Sequence, residues 1–250
     1  MPFTLVHPAF VLPFYNRIKA YCIPVALIAG SLVPDYDIVF RFTETRFHLF
    51  SFSLYSVFGV LLPLALLTVF FYTYVLRDFM LEKCPPLIQQ IAMNIPSFVV
   101  KNSLRTYMLL IANIVAAIYF HLFLDLISHY DAWTVMQFVK MYMTDNESIL
   151  QMAYWGSIYL PQLIFMIIGL YILFINFHQY LEYFNVKDFL DKKLWVYYAL
   201  AFIITMIKVW LSGGIQKEYG IDVIIIALFG GFTLAFAILA SIFRLKKSLT

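Results

Sequence analysis

The chain has 250 residues, of which 63% are hydrophobic and only 12% charged, and its formal net charge is +3. Soluble domains carry about 25% charged residues, so an ordinary water-soluble globule does not fit. The basic residues sit mainly at segment ends with no continuous basic face, so no nucleic-acid partner is expected.

The chain opens Met1-Pro2-Phe3-Thr4, with His7, Pro8 and Pro13 close behind. It has no basic n-region, so no cleavable signal is expected and targeting rests on the membrane spans. The run 21–33 is apolar but short, which suits a buried core helix or a re-entrant piece. It leads into Pro34-Asp35-Tyr36-Asp37, and a Pro-Asp turn aims a carboxylate at the end of an element. Asp37 either shares a site with Asp35 or caps the following segment. His48 follows in the same N-terminal fifth of the chain.

Five runs are long enough to cross a bilayer, which needs about 20 residues. They lie near 51–76, 105–127, 153–177, 195–212 and 222–243. Between the first two, the loop 77–104 carries Pro85-Pro86 and Pro96, and its stretch 86–100 reads as an amphipathic surface helix. The loop 128–152 holds Asp131, Asp145 and Glu147, read as solvated acids. Lys208 lies four residues before Ser212-Gly213-Gly214, close enough to snorkel to the interface. The four tryptophans suit an interfacial belt. His178 follows an apolar run without an acidic neighbour at helical spacing and reads as interfacial.

The expected fold class is therefore all-α. It is a polytopic membrane helical bundle of about five transmembrane helices plus a short N-terminal buried or re-entrant helix. Residues 1–250 read as one integral membrane domain, with 1–130 bearing the motifs and 131–250 supplying supporting helices. With five spans, six basic residues including Arg17, Arg41 and Lys140 fall on one side. Ten, including Arg77, Lys83, Arg105, Arg244, Lys246 and Lys247, fall on the other. The positive-inside rule puts the second set and the C-terminus in the cytoplasm. His7, Asp35, His48 and His129 then share the outer side.

His121-Leu-Phe-Leu-Asp125-Leu-Ile-Ser-His129 closes the second long run. Steps of four residues advance about 40° around a helix, so the three side chains share one face. Ionisable groups at membrane depth are costly, so they pair, line a cavity or bind something. His, Asp and His are good metal ligands. The alternative is a hydrogen-bonded polar seam between packed helices. Cys22 and Cys84 are too few for a disulfide framework, show no zinc-finger spacing, and read as free thiols. There is no Gly-rich phosphate loop and no Gly-x-Ser-x-Gly elbow. No internal repeat is evident, which weighs against inverted-repeat transporters.

Met1-Pro2-Phe3-Thr4, His7-Pro8-Ala9, Leu12-Pro13, Gly30-Ser31-Leu32-Val33-Pro34-Asp35, His48 and the His121–Asp125–His129 helix together carry a resemblance. They resemble a bacterial family of uncharacterised integral membrane proteins. That family is similar in motif to inner-membrane metal-dependent hydrolases and, distantly, to the zinc-dependent phospholipase C and single-strand nuclease superfamily. The resemblance covers 1–130; the remainder matches only as apolar helices. It implies a metal site of His7, Asp35, His48, His121, Asp125 and His129. Asp35, His48, His121 and Asp125 would surround one ion, and Asp125 would bridge to a second near His7. His129 matches the superfamily's next histidine loosely in spacing. The superfamily's later His-x-x-x-Glu pair is missing, since only His178 lies downstream.

The implied cofactor is one or two divalent ions, Zn²⁺ foremost, with Mn²⁺ or Fe²⁺ also suited to mixed His and carboxylate ligands. The implied function is a membrane-embedded metal-dependent hydrolase acting on a lipid phosphoester or another amphiphile. The alternatives are a non-catalytic metal-binding or transport protein, and a structural membrane protein whose polar residues knit helices. The implied location is the bacterial inner membrane, with membrane lipid as partner.

Overall fold

The computed structural model describes residues 7–11, 19–36, 53–98, 103–128, 163–176, 178–211 and 221–249, and every element among them is helical. A short helical stretch over 7–11 comes first. Helix α1 is Pro24–Leu32, continued by a tight turn Val33–Asp35. Helix α2 is Tyr55–Lys83, α3 is Pro86–Asn94 and α4 is Leu104–Ser128. Helix α5 is Leu163–Asn176, α6 is Lys192–Leu211 and α7 is Ile221–Leu249.

Among the described residues two helices, Tyr55–Lys83 and Leu104–Leu126, are long and apolar enough to cross a membrane by length and composition. The other three expected spans coincide in position with α5, α6 and α7. The described apolar stretches of α5 and α6, Leu163–Asn176 and Leu194–Ile207, are shorter than a span. The first run does not stop at 76 as expected. It stays helical to Lys83, and the Pro85-Pro86 pair ends it, because the residue before a proline is pushed out of helical conformation.

Helix α2 widens into π-turns over Tyr55–Leu61, directly before Pro63. Proline lacks an N–H and crowds the carbonyl four residues back, so a wider turn accommodates it. A second wide stretch, Tyr72–Leu76, lies where α3 docks. There the Tyr72 hydroxyl donates to Ile95 O at 2.9 Å, and Thr73 Oγ1 accepts from Phe98 N at 3.2 Å. The expected surface helix in 86–100 thus exists, shortened to Pro86–Asn94 and pinned to α2.

The core sits where α1, α2 and α4 meet. Val25, Ala29 and Val33 face Val57, Leu61, Ala65 and Val69, and both face Leu110, Ile114, Ile118 and Leu122. Each set recurs every four residues, which lines one face of a helix. The outward faces are also apolar: Met108, Phe123 and Leu126 of α4 are exposed, as are Phe202, Ile203 and Trp210 of α6. Helices apolar all round belong in a large core or a membrane. Phe98 contacts both Phe70, in the middle of α2, and Tyr107, early in α4, and so bridges these two helices.

The short apolar segment is a buried helix. Val25, Ala26, Ala29, Gly30 and Ser31 are all buried. Small residues let it approach α4 closely: a Cβ on Gly30 would lie 2.5 Å from Ile114 O and 2.9 Å from Ala117 Cβ. Asn113 seals its start. The amide Oδ1 accepts from Ile23 N at 3.0 Å, and Nδ2 donates to Tyr21 O at 2.9 Å. These backbone groups precede a helix and have no helical partner, so a side chain serves them.

Helix α7 crosses α6 equally closely; a Cβ on Gly231 would lie 2.6 Å from Thr205 Cα. Its C-terminal half packs on α2 through Phe79, which meets Tyr197, Phe236 and Phe243 edge-on at 5.2–5.8 Å. Cys22 and Cys84 are free, as expected. Burial pushes the Cys84 thiol up to about 12.

Candidate metal centre

Helix α1 runs parallel to α4, with Ile23 at Asn113, Gly30 at Ile114 and Ala117, and Ser31 at His121. This register carries the turn Val33–Asp35 to the far end of α4, where His121 and Asp125 lie one turn apart. The stretch 7–11 brings His7 to the same place. Four ionisable side chains then face one another.

His7 Nδ1 is 3.4 Å from Asp35 Oδ2, and its Nε2 is 3.6 Å from Asp125 Oδ1. His121 Nε2 is 3.2 Å from Asp125 Oδ2 and 3.7 Å from Asp35 Oδ1. The two imidazoles are 4.1 Å apart between centroids. Burial grades outward: the side chain of His121 is 0% exposed, Asp35 6%, His7 12% and Asp125 25%.

The key contact lies behind His121. Its Nδ1 is 2.6 Å from Ser31 O. A carbonyl only accepts, so Nδ1 carries the proton and donates. In the neutral imidazole Nε2 is then the lone-pair nitrogen, and it points between the two carboxylates. A ligating histidine characteristically donates its other N–H to a carbonyl or carboxylate, which fixes tautomer and ring orientation.

The spacing can be tested against both readings. Good N–H···O hydrogen bonds run from about 2.7 to 3.2 Å. Only His121–Asp125 reaches that range. Around a tetrahedral ion with bonds of about 2.0–2.2 Å, neighbouring ligand atoms are about 3.3–3.6 Å apart. The four observed separations, 3.2–3.7 Å, lie near that spacing, but they use both ring nitrogens of His7 and both oxygens of each carboxylate, so they are not the edges of one tetrahedron. His7 Nδ1 and Asp35 Oδ2 are buried and have no hydrogen-bond partner among the described residues. His7, His121 and Asp125 offer ligand atoms all within 4.8 Å of one another, a group that could hold a metal ion. Asp35 flanks that triad.

Of the six residues expected in the site, His7, Asp35, His121 and Asp125 come together. His7 stands beside His121, and Asp125 turns Oδ1 toward the one and Oδ2 toward the other. His48 and His129 lie outside the described residues, as do Asp37, Asp131, Asp145 and Glu147. His178 is exposed, donates from Nδ1 to Ile175 O at 2.8 Å and takes no part. Two contributors went unread in the sequence. Ser31 acts through its backbone carbonyl, which no side-chain pattern signals. Asn113 did carry a signal, being an amide inside the apolar run 105–127, where polar groups are expensive.

No curated protein and no solved structure matches the chain significantly. The match that does exist covers residues 1–243, well past the first 130 to which the motif resemblance was confined. It brings no hydrolase or phospholipase C relationship with it. The chain belongs to the family described as a domain of unknown function, DUF4184.

Proposed function

We propose that the protein is a membrane-embedded metal-dependent hydrolase that acts on lipid phosphoesters. The observation that carries this reading is the hydrogen bond from His121 Nδ1 to Ser31 O, which turns a lone pair toward two carboxylates. With both imidazoles neutral, Asp35 and Asp125 give the cluster a charge of −2, which one divalent cation cancels. His7, His121 and Asp125 would hold the ion, Zn²⁺ foremost, and Asp35 supplies the second compensating charge. A bound divalent ion would supply a water whose pKa falls to about 7 and would polarise a phosphoryl oxygen. Asp125, the most exposed of the four, marks the side from which water and substrate arrive.

The same reading places the chain in the inner membrane as a multi-pass bundle, with the cluster toward the outer face and the C-terminus cytoplasmic. Arg105 and Asp125 are twenty residues apart on α4, about 30 Å along the axis and one bilayer core. The basic residues Lys83, Arg244 and Lys247 gather at the C-terminal end of α2.

The test is metal content and turnover of the detergent-purified protein. The wild type should bind about one divalent ion per chain, and Asp125→Asn should lose it while the fold survives. Metal-loaded protein should release phosphate-bearing headgroups from phospholipid vesicles, and chelated protein should not. Metal without turnover would leave a binding or transport protein. No metal under any loading condition would leave a polar seam that knits helices.

A further inference from the structure

At the opposite end of the bundle a cleft of about 810 Å³ opens between the Lys83–Pro86 turn, the start of α6 and the last turns of α7. Its lining is both ionic and apolar. Lys83, Lys246 and Lys247 are balanced by Glu82, Asp188 and Asp191. Beneath them lie Leu239, Ile242 and Phe243. Part of the charge is already engaged, since Lys247 is paired with Glu82.

Lys246 and Asp191 have interactions of their own as well, which leaves two opposite charges. Lys83 makes no ion pair among the described residues; its ammonium stands over the Phe243 ring, 5.2 Å from the centroid. Asp188, in the one-turn helix Val186–Phe189, likewise has no ion-pair partner among them. One cation and one anion, on different elements above an apolar floor, match a ligand that has a phosphate, an amine and a hydrocarbon chain. Exposed Ile242 and Leu245 continue the apolar floor out of the cleft along α7, where an acyl chain would run. Trp195, 61% exposed and donating to Leu190 O, stands at the same level, as tryptophans do at membrane interfaces.

We propose that this cleft is a binding site for a zwitterionic aminophospholipid, its phosphate on Lys83 and its primary ammonium on Asp188. An anionic lipid would leave Asp188 facing a negative headgroup. A choline lipid would present a quaternary ammonium that cannot donate a hydrogen bond. The site rests on the membrane reading above but is independent of the metal centre.

The test uses the full-length protein in mixed detergent and lipid micelles, with retained lipid counted by native mass spectrometry. Phosphatidylethanolamine should be retained over phosphatidylcholine and phosphatidylglycerol by about tenfold, the effect of one charge-assisted contact. Lys83→Glu and Asp188→Ala should each abolish the preference, while Lys19→Ala should not. Lys83 and Asp188 are at the surface, and unchanged thermal unfolding will show that both variants fold. Equal retention of the three lipids, a preference for phosphatidylglycerol, or an undiminished preference in both variants would overturn the site. Those results leave the membrane reading standing. Extraction of the wild type without detergent would overturn both.

Discussion

The two ends of the bundle use charge in opposite ways. At one end Arg244 meets Asp78 at 3.0 Å and Lys247 meets Glu82, with all four side chains at least one-third exposed. These pairs are close and need no further partner. At the other end His7, Asp35, His121 and Asp125 are largely buried, yet mostly stand farther apart than hydrogen-bonding distance. Burying charge is costly, and helix packing alone does not call for it. Short exposed pairs are what cohesion between helices produces. Long buried ones are what a set of ligands would produce, which is the role proposed above for that end.

The sharpest way to break the contrast is to remove His121. His121→Phe keeps the volume but takes the 3.2 Å partner from Asp125 and the donor from Ser31 O, and it leaves buried Asp35 with His7 alone. Metal-free protein should lose about 3–5 kcal/mol, read as a fall in the unfolding midpoint in detergent. Adding Asp35→Leu to the same chain should recover much of that loss, because it removes the stranded charge. A double variant no more stable than the single one would show that His121 acts only by packing.

Next in size is the helix contact that sets the register. Gly30→Val pushes a side chain into Ile114 O and Ala117, where backbone cannot yield, and should cost about 1–3 kcal/mol. It should also reduce metal content, because the same displacement lifts Ser31 O from His121. Wild-type metal content in a destabilised Gly30→Val protein would show that α1 does not position the site. Asn113→Leu should cost about 1–3 kcal/mol by stranding Ile23 N and Tyr21 O. A loss below about 0.5 kcal/mol would mean that water serves these groups instead.

What the sequence made legible follows the same division. His121 and Asp125 were readable because helical spacing places residues four apart on one face. Asp35 was readable because Pro34 ends an apolar segment and leaves a carboxylate at its tip. That His7 joins them came from the family resemblance, since nothing local to His7 points to α4. The helical class followed from composition alone. The extent of α2 did not, because the charged residues Arg77, Asp78, Glu82 and Lys83 look like a loop until Asp78 and Glu82 are seen to pair with α7. The Ser31 carbonyl was beyond reach in principle, since every residue has one and only the register of two helices decides which is used. The register in turn rests on Gly30, whose missing side chain leaves no apolar or polar pattern to read.

The smallest expected effect lies at the end with the exposed pairs and tests the other half of the contrast. A double-mutant cycle of Arg244→Ala and Asp78→Ala isolates the one pair from the packing of the helices that carry it. Both partners are well exposed, so water screens the attraction, and holding two long side chains together costs rotamer freedom. The coupling should be about 0.2–1 kcal/mol and should shrink when ionic strength rises. Metal content should not change in any member of the cycle, because the cluster lies at the far end of α4. A coupling of several kcal/mol that is indifferent to salt would mean that this pair is shielded from water, as it would be if this end were buried in an assembly. The functional contrast between the two ends would then dissolve, because both would carry desolvated charge.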